Sequence, residues 1–156
     1  MKIKIIALGK IKEKFLKDGI EEFLKRLTPY ASIEIIEIQP IEIKDENLTS
    51  KALEQEGEKI LAYIKPTSYV ITLEILGKQL SSEDFAQKIS EITNSGVGEL
   101  IFVIGSSCGI SPTVSQRADF KLSISKMTFL HQFARLLLVE QIYRAFKILK
   151  NETYHK

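Results

Sequence analysis

Strand patterns and helix patterns alternate along almost the whole chain, and this alternation restricts the fold more than any other feature of the sequence. Lys2–Leu8 alternates Lys with Ile and predicts a first strand, which Gly9 closes. Glu13–Leu27 then places its apolar side chains on one stripe and predicts an amphipathic helix, which stops at Thr28-Pro29. A repeated succession of this kind is typical of a mainly parallel sheet covered by helices.

The rest of the chain continues the same order without a repeat, a low-complexity segment or a linker. A turn at Gly77-Lys78 is expected to end the third strand. The remaining predicted strands are Ile33–Ile38, Tyr69–Leu73, Leu100–Ile104 and Phe120–Ile124. The remaining predicted helices are Thr49–Ile64, Ser81–Asn94, Pro112–Arg117 and Leu130–Leu149. We therefore predict a single α/β domain over residues 1–156, with a mainly parallel sheet flanked by helices.

Composition limits the surroundings and the partners of this domain. Cys108 is the only cysteine, which excludes an intrachain disulfide and favours a cytoplasmic location. The longest apolar runs fall far short of the roughly 20 residues that cross a bilayer, so we expect no membrane contact. Residues 121–156 contain 7 Lys and Arg against 2 Asp and Glu, whereas residues 1–120 contain 15 against 18. The basic end suggests a polyanionic partner, although basic residues also complement a helix dipole there.

Three loops follow the predicted strands at the sheet edge where ligands bind in such folds. They are Glu74–Lys78, Gly105–Ser111 and Ser125–Phe129. The glycine loop has neither the GxGxxG spacing nor a Gly-Lys-Ser/Thr sequence, so a dinucleotide or nucleoside-triphosphate site is not expected. By spacing alone, ordinary turn chemistry explains Gly105 and Gly109 better than a ligand site does.

Few side chains outside these loops suggest chemistry by themselves. His131, at the start of the last helix, fits a base, a donor to a substrate carbonyl, or a residue that only satisfies local hydrogen bonds. Cys108 has no His or Asp beside it in the sequence and is interpreted as incidental. No His, Cys, Asp and Glu cluster has metal-ligand spacing, so no metal is expected. The terminal Tyr154, His155 and Lys156 form either a frayed tail or a segment suited to RNA.

Several separate segments, in order and at the right total length, resemble one known family. These segments are IGSSCG at Ile104–Gly109, LSISKMTFLHQFAR at Leu122–Arg135, EQIYRAFKI at Glu140–Ile148, YHK at Tyr154–Lys156 and ITLEILGK at Ile71–Lys78. In them the chain is similar to the ribosomal RNA large subunit methyltransferase H family, which belongs to the SPOUT class of methyltransferases.

The resemblance implies an activity that no periodicity could predict. Members transfer a methyl group from S-adenosylmethionine to N3 of a pseudouridine in the large-subunit (23S) ribosomal RNA. They are homodimers with an active site shared between subunits, and their C-terminal half forms a deep trefoil knot. The expected partners are therefore ribosomal RNA in the large subunit or the assembled ribosome, and a second copy of the chain.

The resemblance also implies positions for the site. His131 is expected to polarise the base or accept its proton, and Arg135 to stabilise charge on the ring oxygens. The residues expected to hold RNA are Arg144, Tyr154, His155 and Lys156. The residues expected to hold the methyl donor are Leu73, Gly105, Ile124, Ser125, Lys126, Met127, Thr128 and Phe129.

Two positions depart from the family pattern. Ser106 replaces a second glycine, and a serine there would crowd the donor site if the backbone required a positive φ. Leu130 replaces a proline, and this loss would loosen the start of the last helix. Two alternatives to an active methyltransferase follow: a knotted ribosome-binding or RNA-binding protein with weakened catalysis, and an unrelated small-molecule α/β enzyme. Affinity for S-adenosylmethionine separates the first alternative from the enzyme, and affinity for RNA separates the second.

Overall fold

The computed structural model describes residues 1–156 and confirms the predicted succession of strands and helices. A short 3₁₀ turn, Glu46–Leu48, precedes the second helix. The strands are β1 (Lys2–Leu8), β2 (Ser32–Ile38), β3 (Tyr69–Gln79), β4 (Glu99–Ile104) and β5 (Phe120–Ser123). The helices are α1 (Lys14–Leu27), α2 (Thr49–Leu61), α3 (Ser82–Asn94), α4 (Pro112–Arg117) and α5 (His131–Leu149).

The five strands form one sheet in the order β2-β1-β4-β3-β5, and every neighbouring pair is parallel. The central strand β4 (ELIFVI) is buried along its whole length. A strand with both faces covered needs a continuous apolar sequence, and β4 and the first half of β3 have one. All five carboxyl ends therefore lie at one edge of the sheet, the edge where the loops described above begin.

Each face of the sheet carries its own core, and the alternation of β1 divides its side chains between the two. Ile3 and Ile5 belong to the larger core, which α1, α3 and α5 cover. Ile6 and Leu8 belong to the smaller core, which α2 and α4 cover. None of the five helices combines the length and the apolar character that a membrane-spanning helix requires.

The predicted turn at Gly77-Lys78 is wrong, because both residues remain in β3. Leu122 of β5 pairs first with Leu73 and then again with Lys78, so residues 74–77 bulge out of the ladder. A Cβ at Gly77 would lie 2.7 Å from the carbonyl oxygen of Lys121. Gly77 is therefore needed for close approach of two backbones, and the bulge turns Glu74 and Ile75 toward the end of the sheet.

The helix predicted to reach Ile64 ends three residues earlier, at Leu61. The amides of Tyr63 and Ile64 bond to the carbonyls of Ile60 and Leu61, which tightens the chain into three-residue turns. Pro66 follows, and a proline disfavours helical backbone in the residue before it. The difference from the prediction is local, since all the residues that α2 buries precede Leu61.

Candidate active site

A cavity of about 390 Å³ opens at the carboxyl edge of the sheet, between the ends of β3, β4 and β5 and the start of α5. We call it the donor cavity. Seven of the eight residues predicted to hold the methyl donor line it, and Lys126 is the exception. His131 also lines it, together with residues that the sequence did not single out, such as Ile75, Ile104 and Ala134. The volume lies within the range of about 300 to 1,000 Å³ that is usual for small-molecule sites.

The donor cavity combines apolar walls with backbone amides that have no hydrogen-bond partner within the protein. Leu73, Ile124 and Met127 contribute apolar surface. The amides of Thr128 and Phe129 donate no hydrogen bond within the protein. A flat heteroaromatic ring requires this combination, an apolar slot edged by a few fixed polar groups. The residues present therefore fit the adenine portion of a nucleoside donor.

Serine side chains shape the loop that carries these amides. The hydroxyl of Ser123 donates to the carbonyl oxygen of Ser125 at 3.0 Å. The hydroxyl of Ser125 in turn accepts from the amide of Met127 at 3.0 Å. Short side-chain to backbone bonds of this kind hold a turn without regular secondary structure. They leave Met127 largely exposed, with a relative exposure of 74%.

Gly105–Gly109, here called the donor loop, forms the wall at the end of β4. A Cβ at Gly105 would overlap the carbonyl oxygen of Gly109 and lie 2.7 Å from its carbonyl carbon. Gly109 has a φ of +89° and donates its amide to the Ser106 carbonyl at 2.9 Å. Both glycines are therefore required by the backbone, Gly105 for close approach and Gly109 for its left-handed conformation.

The two departures from the family pattern do not disturb the site in the expected ways. Asn151 is the only non-glycine residue with a positive φ, so Ser106 has ordinary backbone geometry and the predicted crowding on that ground does not arise. Leu130 has a φ of −53°, inside the range that a proline would fix. Its carbonyl accepts from the amides of Phe133 and Ala134 at 2.8 and 3.1 Å, so the first turn of α5 is formed.

The structure separates the two residues predicted to act on the base. His131 is partly buried, faces the donor cavity, and has its Nε2 atom close to Gly9. Arg135, one turn later in α5, does not line the cavity. Its side chain is only 3% exposed, forms an ion pair with Glu37 at 2.7 Å and donates to the carbonyl oxygen of Gly9 at 3.0 Å. Its Nε–H has no partner. Arg135 thus joins α5 to the ends of β1 and β2.

Three of the four residues predicted to hold RNA are brought together at the far end of α5. The guanidinium of Arg144 bonds to Glu140 at 2.6 Å and to the ring of His155 at 3.1 Å. The hydroxyl of Tyr154 donates to the same carboxylate of Glu140 at 2.9 Å. Burial raises the pKa of the Tyr154 hydroxyl above its usual value, and Glu140 adds to that rise. The tail is therefore packed rather than frayed at Tyr154 and His155, whereas Lys156 is exposed.

His155 also reaches α3, where its Nε2 atom lies 2.6 Å from Glu83. This hydrogen bond holds the pKa of the Glu83 carboxyl below its usual value. A carboxyl with a lowered pKa favours the docked state above its unfolded pKa, and that contribution is lost as the pH falls through the lowered value. We therefore expect acidification to release His155 from α3. Its ring resonances in NMR spectra should change across the range in which Glu83 becomes protonated.

A Glu83→Gln variant should show the released His155 signals already at neutral pH and lose the change in acid. Glu91→Gln, the same substitution at an exposed position of α3, serves as the control and should show the same acid-induced change as the unaltered protein. An acid-induced change of the His155 signals that is the same in the unaltered protein and in Glu83→Gln would contradict the prediction.

Two neighbouring residues of α2, Glu56 and Gly57, contact the donor loop and its continuation but were missed in the sequence. Glu56 accepts a hydrogen bond from Ser106, and a Cβ at Gly57 would overlap the hydroxyl of Ser111. A glycine inside an otherwise regular helix costs about 1 kcal/mol relative to alanine. That cost was the available signal, since such a glycine usually marks close packing. No three His, Cys, Asp or Glu side chains are grouped so that they could hold a metal ion.

Three comparisons with known proteins found related sequences and a similar fold. The family model described as "Predicted SPOUT methyltransferase" matches residues 1–155. A curated protein from Carboxydothermus hydrogenoformans, named Ribosomal RNA large subunit methyltransferase H, is 54% identical over 160 residues, which cover 100% of both chains. A solved structure of a probable methylase family protein from Haemophilus influenzae Rd KW20 is similar with a TM-score of 0.53 and 14% identity. That similarity covers 96% of this chain and 66% of the other, and it concerns the fold alone.

Proposed function

Because the chain belongs to the SPOUT methyltransferase family, we propose that it transfers a methyl group from S-adenosylmethionine to a base of large-subunit ribosomal RNA. S-adenosylmethionine is the methyl donor of this family. The full-length relative named for large-subunit ribosomal RNA supports the choice of substrate. The finer target, N3 of a pseudouridine, rests on the family resemblance of the motifs quoted above.

The donor cavity is the observation that carries this proposal. Three separate chain segments meet there, and the residues predicted to hold the donor form its walls. When bound, the donor supplies a methyl group that its sulfonium already activates. The protein then has to hold the adenine between apolar side chains, exclude water and align the methyl group with the entering nitrogen. His131 lines the cavity, so the base is proposed to bind beside this side chain.

His131 is proposed to accept the proton that the ring nitrogen must lose before it attacks. It is the only histidine in the cavity wall, at the first position of α5. Arg135 binds Glu37 and Gly9, so direct contact with the charged ring oxygens requires its ion pair with Glu37 to open. While this ion pair is formed, Arg135 instead holds the end of β1 beside His131. We therefore propose that His131 contacts the base and that Arg135 keeps His131 in position.

The experiment that tests the function begins with calorimetric titration of the purified protein with S-adenosylmethionine. Micromolar affinity is expected. Ribosomes from a strain that lacks this methylation should then accept one methyl group per large subunit from the donor in the presence of the protein. A folded protein that binds ribosomal RNA without binding the donor would contradict the proposed enzymatic activity. A protein that binds neither would exclude the whole proposal.

The proposal extends to a homodimer with a shared site. Arg144 lies 13 residues after His131 in the same helix, and at about 1.5 Å per residue this separates them by about 20 Å. The residues predicted to hold RNA therefore lie far from the donor cavity of their own chain. Large apolar side chains are exposed around the cavity: Ile75 and Leu76 on the bulge, Met127, Phe129 and Leu130 before α5, and Phe133 within it. An exposed apolar patch of this kind marks an interaction site, and a second copy of the chain would bring its own α5 to it.

A Phe133→Asp variant is expected to be monomeric and to lose methyl transfer to ribosomes. A carboxylate in the centre of an apolar interface must be desolvated without a partner, which costs more than the contact it replaces. Sedimentation equilibrium measures the change in molecular mass. Tyr63→Asp, at an exposed aromatic residue that follows α2, is the matched control and should remain dimeric. A dimeric and fully active Phe133→Asp variant would exclude this face as the interface.

The same proposal includes the remaining properties that the resemblance implies. Residues 1–156 form one methyltransferase domain, and its C-terminal half carries the trefoil knot of the family. The protein acts in the cytoplasm, because its proposed substrate is ribosomal RNA. Support for these properties is the full-length match to a protein of the same name as the resembled family.

A further inference from the structure

Two adjacent residues of α2 contact the donor loop and the segment that leads from it into α4. Glu56 contacts the donor loop at Ser106, and Gly57 contacts the end of the following segment at Ser111. Neither Glu56 nor Gly57 lines the donor cavity. They lie on the opposite side of the donor loop, so they are positioned to fix its conformation rather than to touch the ligand.

The side chain of Glu56 is placed for this task by burial and by two hydrogen bonds. Glu56 is 4% exposed. One carboxylate oxygen accepts from the hydroxyl of Ser106 at 3.2 Å, and the other accepts from the amide of Ile41 at 3.0 Å. The hydroxyl of Ser106 also accepts from the amide of Cys108 at 3.3 Å. A chain of hydrogen bonds therefore runs from the donor loop through Ser106 and Glu56 to the segment after β2.

The second contact prevents the loop from moving away. Ser111 is 2% exposed and caps α4, with its hydroxyl accepting from the amide of Val114 at 3.2 Å. Gly57 is in direct contact with it, because a Cβ at that position would lie 3.0 Å from the Cβ of Ser111. Packing therefore fixes the chain at Ser111, whereas the position of the donor loop depends on the hydrogen bond between Glu56 and Ser106.

We propose that Glu56 is a positioning residue for the methyl donor, acting through Ser106 to hold the donor loop in its binding conformation. This inference rests on the proposed function, because the ligand concerned is S-adenosylmethionine. Ser106 and Gly105 line the cavity directly, so a shift of the loop changes the shape of the wall. Glu56 makes no ion pair, and its only partners are the two neutral donors on either side. Burial of a carboxylate is costly, and the two hydrogen bonds offset part of that cost while they hold both partners in place.

The test compares the dissociation constant for S-adenosylmethionine in four forms of the full chain: unaltered, Glu56→Gln, Ser106→Ala and the double variant. A glutamine side chain cannot accept from both partners, since its amide nitrogen only donates. Hydrogen bonds to charged groups are among the stronger ones in proteins, so each single variant is expected to bind the donor about tenfold more weakly. If Glu56 acts through Ser106, the double variant is no weaker than the weaker single variant.

Glu54→Gln is the matched control, because it makes the same change at an exposed position of the same helix. It should bind the donor as the unaltered protein does. Thermal unfolding of each form, with titrations well below the lowest transition, separates loss of the loop conformation from loss of the fold. Ser106→Ala changes a partly exposed side chain and keeps the test valid if Glu56→Gln unfolds.

The outcomes distinguish this inference from the proposed function. Weaker binding in both single variants without further loss in the double variant supports it. Unchanged binding in Ser106→Ala, or losses that add in the double variant, would overturn the positioning role while the unaltered protein still binds the donor. Failure of the unaltered protein to bind would overturn the proposed function and this inference together.

Discussion

A Gly105→Ala variant should bind S-adenosylmethionine about 100-fold more weakly than the unaltered protein, and it should do so while folded. The added Cβ would overlap the carbonyl oxygen of Gly109 and lie 2.8 Å from the side chain of Ile110. Overpacking of this kind typically costs 1 to 3 kcal/mol, and about 2.7 kcal/mol corresponds to the expected loss. Because the obstructing atoms belong to backbone, the donor loop must open, and the loop is itself a wall of the cavity.

Gly98→Ala provides the matched control for this prediction. A Cβ at Gly98 meets no atom within 4 Å, so the same substitution there should leave the dissociation constant unchanged. Calorimetric titration measures both variants, and circular dichroism confirms that each is folded. Binding by Gly105→Ala within about twofold of the unaltered protein would show that the donor loop tolerates the added atom and that the close approach is not required.

The second large effect concerns the rate rather than the affinity. A His131→Gln variant is expected to transfer the methyl group about 10²- to 10⁴-fold more slowly, which is the usual contribution of a positioned base. Its affinity for S-adenosylmethionine should change far less, since the apolar walls and the loop amides that face the adenine remain. Single-turnover transfer to ribosomes, with donor and enzyme in excess, measures the chemical step without product release.

Gln132→Ala is the control for His131→Gln, because Gln132 is adjacent in α5 and points away from the cavity, donating to the carbonyl oxygen of Lys10 at 3.1 Å. It should transfer the methyl group at nearly the unaltered rate. Equal rates in the two variants would exclude His131 as the group that takes the proton.

The regular parts of this fold were predictable because their signals are local. The alternating pattern of β1 and the continuous apolar sequence of β4 each depend on a few neighbouring residues, and the structure has both strands where they were expected. The start of α3 after Ser81 was equally predictable, since it depends on a local contact in which the hydroxyl of Ser81 accepts from the amide of Asp84 three residues later. The start of α3 and the burial of β4 need no information from the rest of the chain.

The parts that could not be predicted depend on contacts between distant segments. Gly77 and Lys78 have the composition of a turn, and only the backbone of Lys121 explains why they continue a strand. Arg135 has a helical position suited to a ligand, but its partner Glu37 lies 98 residues away in the sequence. The family resemblance picked out seven residues that line one cavity, whereas the contacts that shape the cavity could not be predicted.

The order of the strands has a consequence for how the protein is made. β1 lies inside the sheet between β2 and β4, yet its partner β4 comes late: the side chain of Lys4 in β1 forms an ion pair with Glu99 in β4, which is 95 residues away in the sequence. Sheets that depend on such distant pairing fold slowly, because the entropy of a long loop must be lost before the contact is gained. During synthesis, the edge of the apolar strand β1 that pairs with β4 therefore has no partner until more than half of the chain has left the ribosome. The nascent protein is at its most vulnerable to aggregation during this interval, and a chaperone that binds an extended apolar segment would protect it there.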